Sequence, residues 1–331
     1  MVAERLDMLI DKFGRNINYL RIAVTDRCNL RCNYCMPENQ HFVEREQLLT
    51  YEEITRLVSL LSENGINKVR VTGGEPFVRK DISSLLKRLG SIENIKQLSI
   101  TTNGVLTFSH IADLLAAGIK NVNLSLDTLK RDKFLQLTHR DDFLKVLNSF
   151  HALLANDFNV KLNMVVMRDN VNEILDFVEL TKDLPLSVRF IEEMPFNGQG
   201  HTYSGIEWNY TRILSHIETK YQLQKEQDPA NAIALHYKPE GHMGSIAVIP
   251  AFSRTLCGSC NRLRITATGG LRTCLYGIEV LNVRDLMRNG ASDATLIQEI
   301  QNAVYNKPMD GFTAAASAKM KVPESMSLIG G

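Results

Sequence analysis

The sequence predicts an α/β fold: a partial (β/α)6 TIM-like barrel followed by a C-terminal extension. Short β-branched runs alternate with amphipathic helical patterns through the first two-thirds of the chain, which is typical of βαβ units and a parallel sheet. Because crossovers between parallel strands are right-handed, successive units curl the sheet toward a barrel. The alternation stops near residue 195. We therefore expect a barrel domain over 1–195 and an extension over 196–331.

Six runs are predicted as the barrel strands: 19–24, 68–73, 98–101, 121–126, 160–166 and 187–192. The first predicted helix, within 49–65, begins with a capping box between Thr50 and Glu53 and ends at Gly65. Amphipathic patterns predict four further helices, within 81–90, 108–118, 141–157 and 172–184.

The extension has fewer regular elements. We expect a loop over 195–210, a helix within 209–221, a polar stretch around 225–243, a strand over 245–250 and a helix within 292–307. The final segment, "KVPESMSLIGG", resembles a mobile tail, since termini fray and glycines favour fraying. Its lack of bulky side chains would equally let it enter a tight site.

Composition and charge narrow the functional classes. The formal net charge of +1 gives no indication of a nucleic-acid or membrane partner. The N-terminus has no apolar segment typical of a secretion signal, and no apolar run reaches about 18 residues. We therefore expect a cytoplasmic protein, in which six cysteines indicate metal binding or catalysis rather than disulfides.

The first three cysteines form a C-x3-C-x2-C pattern on the loop after the first predicted strand: Cys28, Cys32 and Cys35. Three thiolates can hold a 4Fe-4S cluster and leave one iron open to a small molecule. The alternative is a zinc ion whose fourth ligand is a distant His or Asp, although structural zinc more often takes two C-x2-C pairs.

The other three cysteines form a C-x2-C-x13-C pattern: Cys257, Cys260 and Cys274. This again gives three thiolates and an open position. Arg262 and Arg264 follow Cys260 and share one face if the segment is a strand, so two guanidinium groups would lie beside the site. They suit an anionic ligand, the alternative being two arginines on an exposed strand.

Cations interrupt the predicted barrel strands, where aliphatic residues are expected: Arg21, Arg70, Lys161 and Arg189. A buried cation needs an anion or access to water. Four of them suggest a polyanionic ligand such as a triphosphate. The alternative is salt bridges with Asp26, Glu192 or Glu193.

Two motifs carry a resemblance to a known superfamily. "CNLRCNYC", with an aromatic residue before the last cysteine, resembles the cluster motif of radical S-adenosylmethionine (radical SAM) enzymes. "TGGEP" (72–76) resembles their second motif, which contacts the methionine amino group, although it also suits an ordinary strand-to-helix turn. With the second triplet, the R-x-R pair and the Gly-Gly end, residues 21–331 resemble the GTP 3′,8-cyclase family of molybdenum-cofactor (molybdopterin) biosynthesis.

This resemblance implies a lyase with two 4Fe-4S clusters that uses S-adenosyl-L-methionine. A 5′-deoxyadenosyl radical would remove the 3′ hydrogen of GTP, and the product would be (8S)-3′,8-cyclo-7,8-dihydroguanosine 5′-triphosphate. The implied S-adenosylmethionine contacts are Tyr34, Gly74, Ser125 and Met194, the last of which could equally be a core methionine. The implied GTP contacts are Arg21, Arg70, Thr101, Lys161, Arg262 and Arg264. The implied catalytic residues are Arg262, Arg264, Gly330 and Gly331.

The resemblance also implies partners. They are a second copy of the chain in a homodimer, a reductant such as a flavodoxin or ferredoxin, and a cyclic pyranopterin monophosphate synthase that receives the product. Two other functions remain open from the residues alone. One is a radical enzyme that modifies a peptide, and the other is a zinc-stabilised binding protein without redox chemistry.

Overall fold

The computed structural model describes residues 8–36, 40–194, 206–318 and 325–330. Within these ranges twelve strands form one sheet. The strands are β1 Tyr19–Ala23, β2 Lys68–Thr72, β3 Gln97–Thr102, β4 Asn121–Ser125, β5 Asn159–Val166, β6 Ser187–Glu192, β7 Leu223–Lys225, β8 Leu235–Pro239, β9 Ser245–Ile249, β10 Arg262–Ile265, β11 Gly270–Arg272 and β12 Leu281–Asn282. The first six confirm the six predicted barrel strands, whose ends differ by at most one residue.

The described ranges contain eleven α-helices. They are α1 Tyr51–Glu63, α2 Ile82–Gly90, α3 Ile111–Ala116, α4 Arg131–Thr138, α5 Phe143–Ala155, α6 Ile174–Asp183, α7 Tyr210–Glu218, α8 Val283–Arg288, α9 Asp293–Tyr305, α10 Gly311–Ala318 and α11 Met326–Ile329. The predicted helices are α1–α3, α5–α7 and α9. The sequence analysis missed the short helices α4, α8, α10 and α11, and it missed the strands β7, β8, β11 and β12. None of the described helices is long and apolar enough to cross a bilayer.

The sheet has eight adjacent parallel strands. β1 to β6 pair in sequence order, and the C-terminal part of the chain adds β10 beside β1 and β9 beside β6. Antiparallel strands continue both edges, β11 and β12 at one and β8 and β7 at the other. The C-terminal residues therefore pair with both edge strands of the predicted six-stranded unit.

The lining of one cavity shows that this sheet is strongly curved. β6 and β10 are separated by six strand spacings in the sheet order, which would be about 29 Å if the sheet were flat. Yet Arg262 on β10, Arg189 on β6 and Arg70 on β2 line the same cavity. These residues therefore face a common lumen, as in a partial barrel.

The helices cover the outside of the barrel. α1 begins as predicted, because the Thr50 side chain accepts a hydrogen bond from the Glu53 amide (3.1 Å) and the Glu53 side chain accepts one from the Thr50 amide (2.7 Å). The apolar face of α1 is buried against the sheet. Along β5 and β6 buried side chains alternate with half-buried ones. The half-buried set, which includes Lys161 and Arg189, lines the lumen.

Candidate active site

One cavity of about 500 Å³ occupies the lumen and brings both cysteine triplets together. All the predicted site residues within the described ranges line this cavity except Gly330. Residues from nine strands, and from loops at their carboxyl ends, therefore meet in one place. Gly331 lies outside the described residues.

The first triplet lies on the loop after β1. The amides of Arg31 and Asn33 donate to the carbonyl oxygens of Thr138 and Leu137 (2.9 and 3.1 Å), which fixes this loop on the end of α4. The six cysteines of the chain are free thiols and are partly buried. Burial raises the pKa of Cys28 to about 11, and it raises the pKa of Cys35 to about 12. Burial of this kind favours neutral thiols unless a metal binds them.

The "TGGEP" turn packs directly on this loop. Gly73 has φ +144°, and a Cβ there would approach the Thr25 carbonyl oxygen to 2.4 Å. The buried Glu75 carboxyl accepts hydrogen bonds from the Thr102 hydroxyl (2.9 Å) and the Asn103 amide (2.7 Å), and burial raises its pKa to about 7. The Asn103 side chain in turn donates to the Cys28 Sγ (3.4 Å). Glu75 therefore couples the turn to the end of β3 and to the first triplet.

Tyr34 has a partner that the sequence analysis did not identify. Its hydroxyl donates to an Asp127 carboxylate oxygen (2.8 Å), and Asp127 also accepts from the Val165 amide (2.9 Å). This contact joins the cysteine loop to the ends of β4 and β5. A single aspartate after a strand is a common feature, so the sequence alone gave no signal for it.

The lumen carries a dense set of cations. Register places Arg21 beside both Arg264 and Arg70. Burial and the neighbouring Arg189 lower the pKa of Lys161 to about 8, and burial together with Arg70 lowers the pKa of Arg189 to about 10. Such shifts mean that each cation raises the free-energy cost of charging the next.

For three of the four lumen cations, the described residues do not show the alternative of salt bridges. Asp26 accepts a hydrogen bond from the Val43 amide (2.7 Å), and Glu192 accepts from the amides of Ser253 and Tyr210 (both 2.7 Å). In the described ranges no carboxylate forms an ion pair with any of three lumen cations: Arg70, Lys161 and Arg189. These cations therefore lack the protein counter-charge that a buried cation requires.

Tyr19 is a lumen residue that the sequence analysis missed. Its hydroxyl oxygen accepts a hydrogen bond from Arg70 Nε (2.6 Å), and its ring lies 4.8 Å from Lys68 Nζ and 5.3 Å from the Arg262 guanidinium carbon. Burial alone would raise its pKa, but Arg70 and Arg21 outweigh burial and lower it to about 7. Its position two residues before Arg21 on one strand face was the available signal.

Several polar atoms that point into the cavity have no hydrogen-bond partner within the described ranges. They are Thr101 Oγ1, Asn123 Oδ1, Asn163 Oδ1, Arg189 Nε and two nitrogens of Arg262. Buried polar atoms are nearly always satisfied in folded proteins. The cavity therefore suits a ligand with many donors and acceptors along its length.

The second triplet lies where the chain enters β10 and leaves β11. Burial raises the pKa of Cys257. At Cys260 burial acts in the same direction, but the charges of Lys307 and Arg262 outweigh it and lower the pKa to about 7. The guanidinium carbon of Arg254 lies 3.5 Å from the centre of the Tyr276 ring, and both residues line the cavity beside this site. The second triplet therefore has a basic environment, unlike the first.

The described tail residues are docked at the mouth of the cavity. The Ser325 hydroxyl donates to the Cys35 carbonyl oxygen (2.6 Å), and Arg264 Nη1 donates to the Gly330 carbonyl oxygen (2.7 Å). Ile329 is buried, and Gly330 has φ +81° with Ala23 and Thr72 close by. Over 325–330 the chain is thus packed between the first triplet and Arg264 rather than frayed.

The donor set fits iron–sulfur clusters. Each site offers three soft thiolates and no fourth cysteine, which leaves one iron of a 4Fe-4S cluster open. No three His, Cys, Asp or Glu side chains in the described ranges surround one point as a single ion requires. A cluster instead binds each thiolate to a different iron.

Comparisons with known proteins agree with this site. Residues 22–181 match the family model of the radical SAM superfamily, and residues 186–312 match that described as Molybdenum Cofactor Synthesis C. The GTP 3′,8-cyclase of Clostridium perfringens strain 13 is 41% identical over 300 residues, which cover 90% of this chain and 93% of that protein. Molybdenum cofactor biosynthesis protein 1 of Dictyostelium discoideum is 42% identical over 315 residues. These are 92% of this chain but only 50% of that longer protein.

A solved structure supports the fold alone. Streptococcus suis SuiB bound to its precursor peptide SuiA has a TM-score of 0.64 at 15% identity, and the match covers 95% of this chain and 76% of that one.

The curved parallel sheet and the cysteine loop after its first strand are those of a radical S-adenosylmethionine enzyme. Within that class, the chain belongs to the GTP 3′,8-cyclase family.

Proposed function

We propose that this chain is a radical GTP 3′,8-cyclase that converts GTP to (8S)-3′,8-cyclo-7,8-dihydroguanosine 5′-triphosphate in molybdenum-cofactor biosynthesis. One observation carries the proposal: two three-cysteine sites line a single cavity, and three cations without ion-pair partners in the described ranges line it as well. A nucleoside triphosphate has the length and charge for such a cavity, since a base can reach one site while phosphates meet the cations.

The first triplet is the proposed site of the cofactors. Cys28, Cys32 and Cys35 would hold one 4Fe-4S cluster, and S-adenosylmethionine would contact four residues near it: Tyr34, Gly74, Ser125 and Met194. When bound, this pair supplies a 5′-deoxyadenosyl radical for removal of a hydrogen atom. The protein contributes orientation, because the Tyr34–Asp127 and Glu75–Asn103 hydrogen bonds fix the loops around that position.

The rest of the cavity is the proposed GTP site. Arg21, Arg70 and Lys161 would bind the triphosphate, and Thr101 offers a hydroxyl without a partner in the described ranges. The second cluster, on Cys257, Cys260 and Cys274, would hold the guanine, which Arg262 and Arg264 would orient. Gly330 and Gly331 would complete the site at its mouth, since Gly330 already contacts Arg264.

Further parts of the proposal concern partners and location. We propose a cytoplasmic homodimer that takes electrons from a flavodoxin or ferredoxin and passes its product to a cyclic pyranopterin monophosphate synthase. We also propose 1–195 and 196–331 as its two domains.

Anaerobic incubation with GTP, S-adenosylmethionine and a reductant tests the activity. We expect 5′-deoxyadenosine and the cyclised nucleotide in equal amounts, and loss of the cyclised nucleotide when Arg262 and Arg264 are replaced by alanine. Lys96→Ala, an exposed change before β3 on the opposite end of the barrel, is the matched control. A colourless protein that contains about two zinc ions would refute the proposal, and absence of GTP binding would favour a peptide substrate.

A further inference from the structure

Lys307 lies behind the second triplet and belongs to none of the roles assigned above. It follows α9, and only 2% of the residue is exposed. Its Nζ donates to the Arg262 carbonyl oxygen (3.1 Å) and to the Thr273 carbonyl oxygen. Arg262 stands two residues after Cys260, and Thr273 directly precedes Cys274. One ammonium group therefore joins the two chain segments that carry the second triplet.

The charge of this lysine has no carboxylate counterpart. In the described part of the chain no Asp or Glu forms an ion pair with Lys307. The two carbonyl oxygens satisfy its hydrogen bonds but supply no net charge. A buried ammonium without an anion is costly, and the thiolates are the anions available to it.

The first triplet has the opposite surroundings. The Glu75 carboxyl accepts from the amide of Asn103, whose side chain contacts Cys28 Sγ (3.4 Å), and the Asp127 carboxyl accepts from the Tyr34 hydroxyl (2.8 Å). Acidic groups therefore lie near the first site, and a fixed cation lies at the second. Net charge and hydrogen bonds around a cluster help to set its reduction potential.

We propose that Lys307 is a positioning residue that acts as the permanent counter-charge of the second iron–sulfur site. It fixes the positions of Cys260 and Cys274 relative to each other, and it offsets the negative charge of the thiolate-bound cluster. Because a reduced cluster carries one more electron, the nearby cation stabilises the reduced form and raises the midpoint potential. The inference rests on the proposed function, since it requires a cluster at the second triplet.

The test uses a parent protein in which Cys28, Cys32 and Cys35 are serines, so that only the second triplet can hold a cluster. Lys307→Met removes the charge and the donor, whereas Lys307→Gln removes the charge but keeps an N–H donor. We expect both variants to lower the midpoint potential in a redox titration followed by electron paramagnetic resonance. Lys87→Met, at an exposed lysine on α2 beside Asp113, should leave the potential unchanged.

Each other outcome is decisive. If Lys307→Gln retains the parent potential, the counter-charge role is wrong and the lysine only joins the two segments. If neither variant retains iron, the thermal unfolding of the iron-free proteins decides. An unfolding temperature equal to that of the iron-free parent supports the proposal, and a large drop in that temperature overturns it. A parent protein without iron or a cluster spectrum would refute the second cluster, and with it the proposed function, rather than the role of Lys307.

Discussion

Lys161 and Tyr19 show how strongly the lumen changes the acid–base behaviour of single side chains. Burial and Arg189 lower the pKa of Lys161 to about 8, and Arg70 and Arg21, acting against burial, lower the pKa of Tyr19 to about 7. As pH rises through this range, Lys161 loses a positive charge and Tyr19 gains a negative one. Both changes weaken the field that would attract phosphates.

The affinity for GTP should therefore fall as pH rises from 7.5 to 9. Above a pKa of about 8 the charged fraction of Lys161 decreases about tenfold per pH unit, and affinity can decrease in proportion. Lys161→Arg keeps its charge over this range and should remove most of that loss. Anaerobic titration calorimetry at four pH values measures both proteins, and the comparison cancels any titration of GTP itself. An equal loss in Lys161→Arg would contradict a role for this lysine.

At the scale of elements, the four-residue C-terminal helix α11 connects two parts of the candidate site. It forms because Ser325 caps its first turn, accepting from the Ser327 amide, and it ends at Gly330 in a left-handed conformation. The same Ser325 donates to the Cys35 carbonyl, so one residue both starts the helix and docks it. The tail thus contacts the first triplet at one end and Arg264 at the other.

Deletion of Gly330 and Gly331 should abolish the cyclised product while both clusters remain, because the Arg264 contact is lost but no cysteine is disturbed. Iron content and the visible spectrum check the clusters, and product analysis checks activity. Gly330→Ala should cause a partial loss of the cyclised product, because φ is +81° and a Cβ would lie 3.0 Å from Thr72 Cγ2. Normal turnover of the deletion variant would show that the tail is not needed.

At the scale of the whole molecule, the cations that line the lumen repel one another, and a bound polyanion would reduce this repulsion. Cations from β1, β2, β5, β6 and β10 share one cavity, and each disfavours the charge of its neighbours. The parallel sheet around them must therefore be stable enough to hold these charges together without a ligand. Its buried apolar core, which is continuous along the sheet and the outer helices, supplies that stability.

A triphosphate should accordingly stabilise the entire fold. Binding at 100 times the dissociation constant adds about 2.7 kcal/mol to the free energy of unfolding. We expect GTP and inorganic tripolyphosphate to raise the thermal midpoint under anaerobic conditions, and guanosine to have little effect. Arg70→Gln should reduce the rise, whereas Lys96→Gln on the outer surface should not. Equal stabilisation by guanosine would mean that the cations do not bind the phosphates.

Local patterns in the sequence determined much of this protein. Short β-branched runs located β1 to β6, the Thr50–Glu53 capping box located α1, and cysteine spacing identified two three-thiolate sites. These features depend on neighbours within a few residues, so they can be predicted without knowing the fold. The resemblance to the radical SAM superfamily and to the GTP 3′,8-cyclase family was confirmed by the comparisons.

Tertiary structure alone decided which distant segments meet. No local pattern indicated that β9 and β10 would join opposite edges of the barrel, because strand pairing depends on which edge is free once β1 to β6 have formed. The Tyr34–Asp127 hydrogen bond joins residues 93 positions apart, and the Ser325–Cys35 hydrogen bond joins residues 290 positions apart. The burial of Lys307 likewise depends on segments that meet only in the folded chain. A single polar residue carries no mark of its partner until the chain has folded around it.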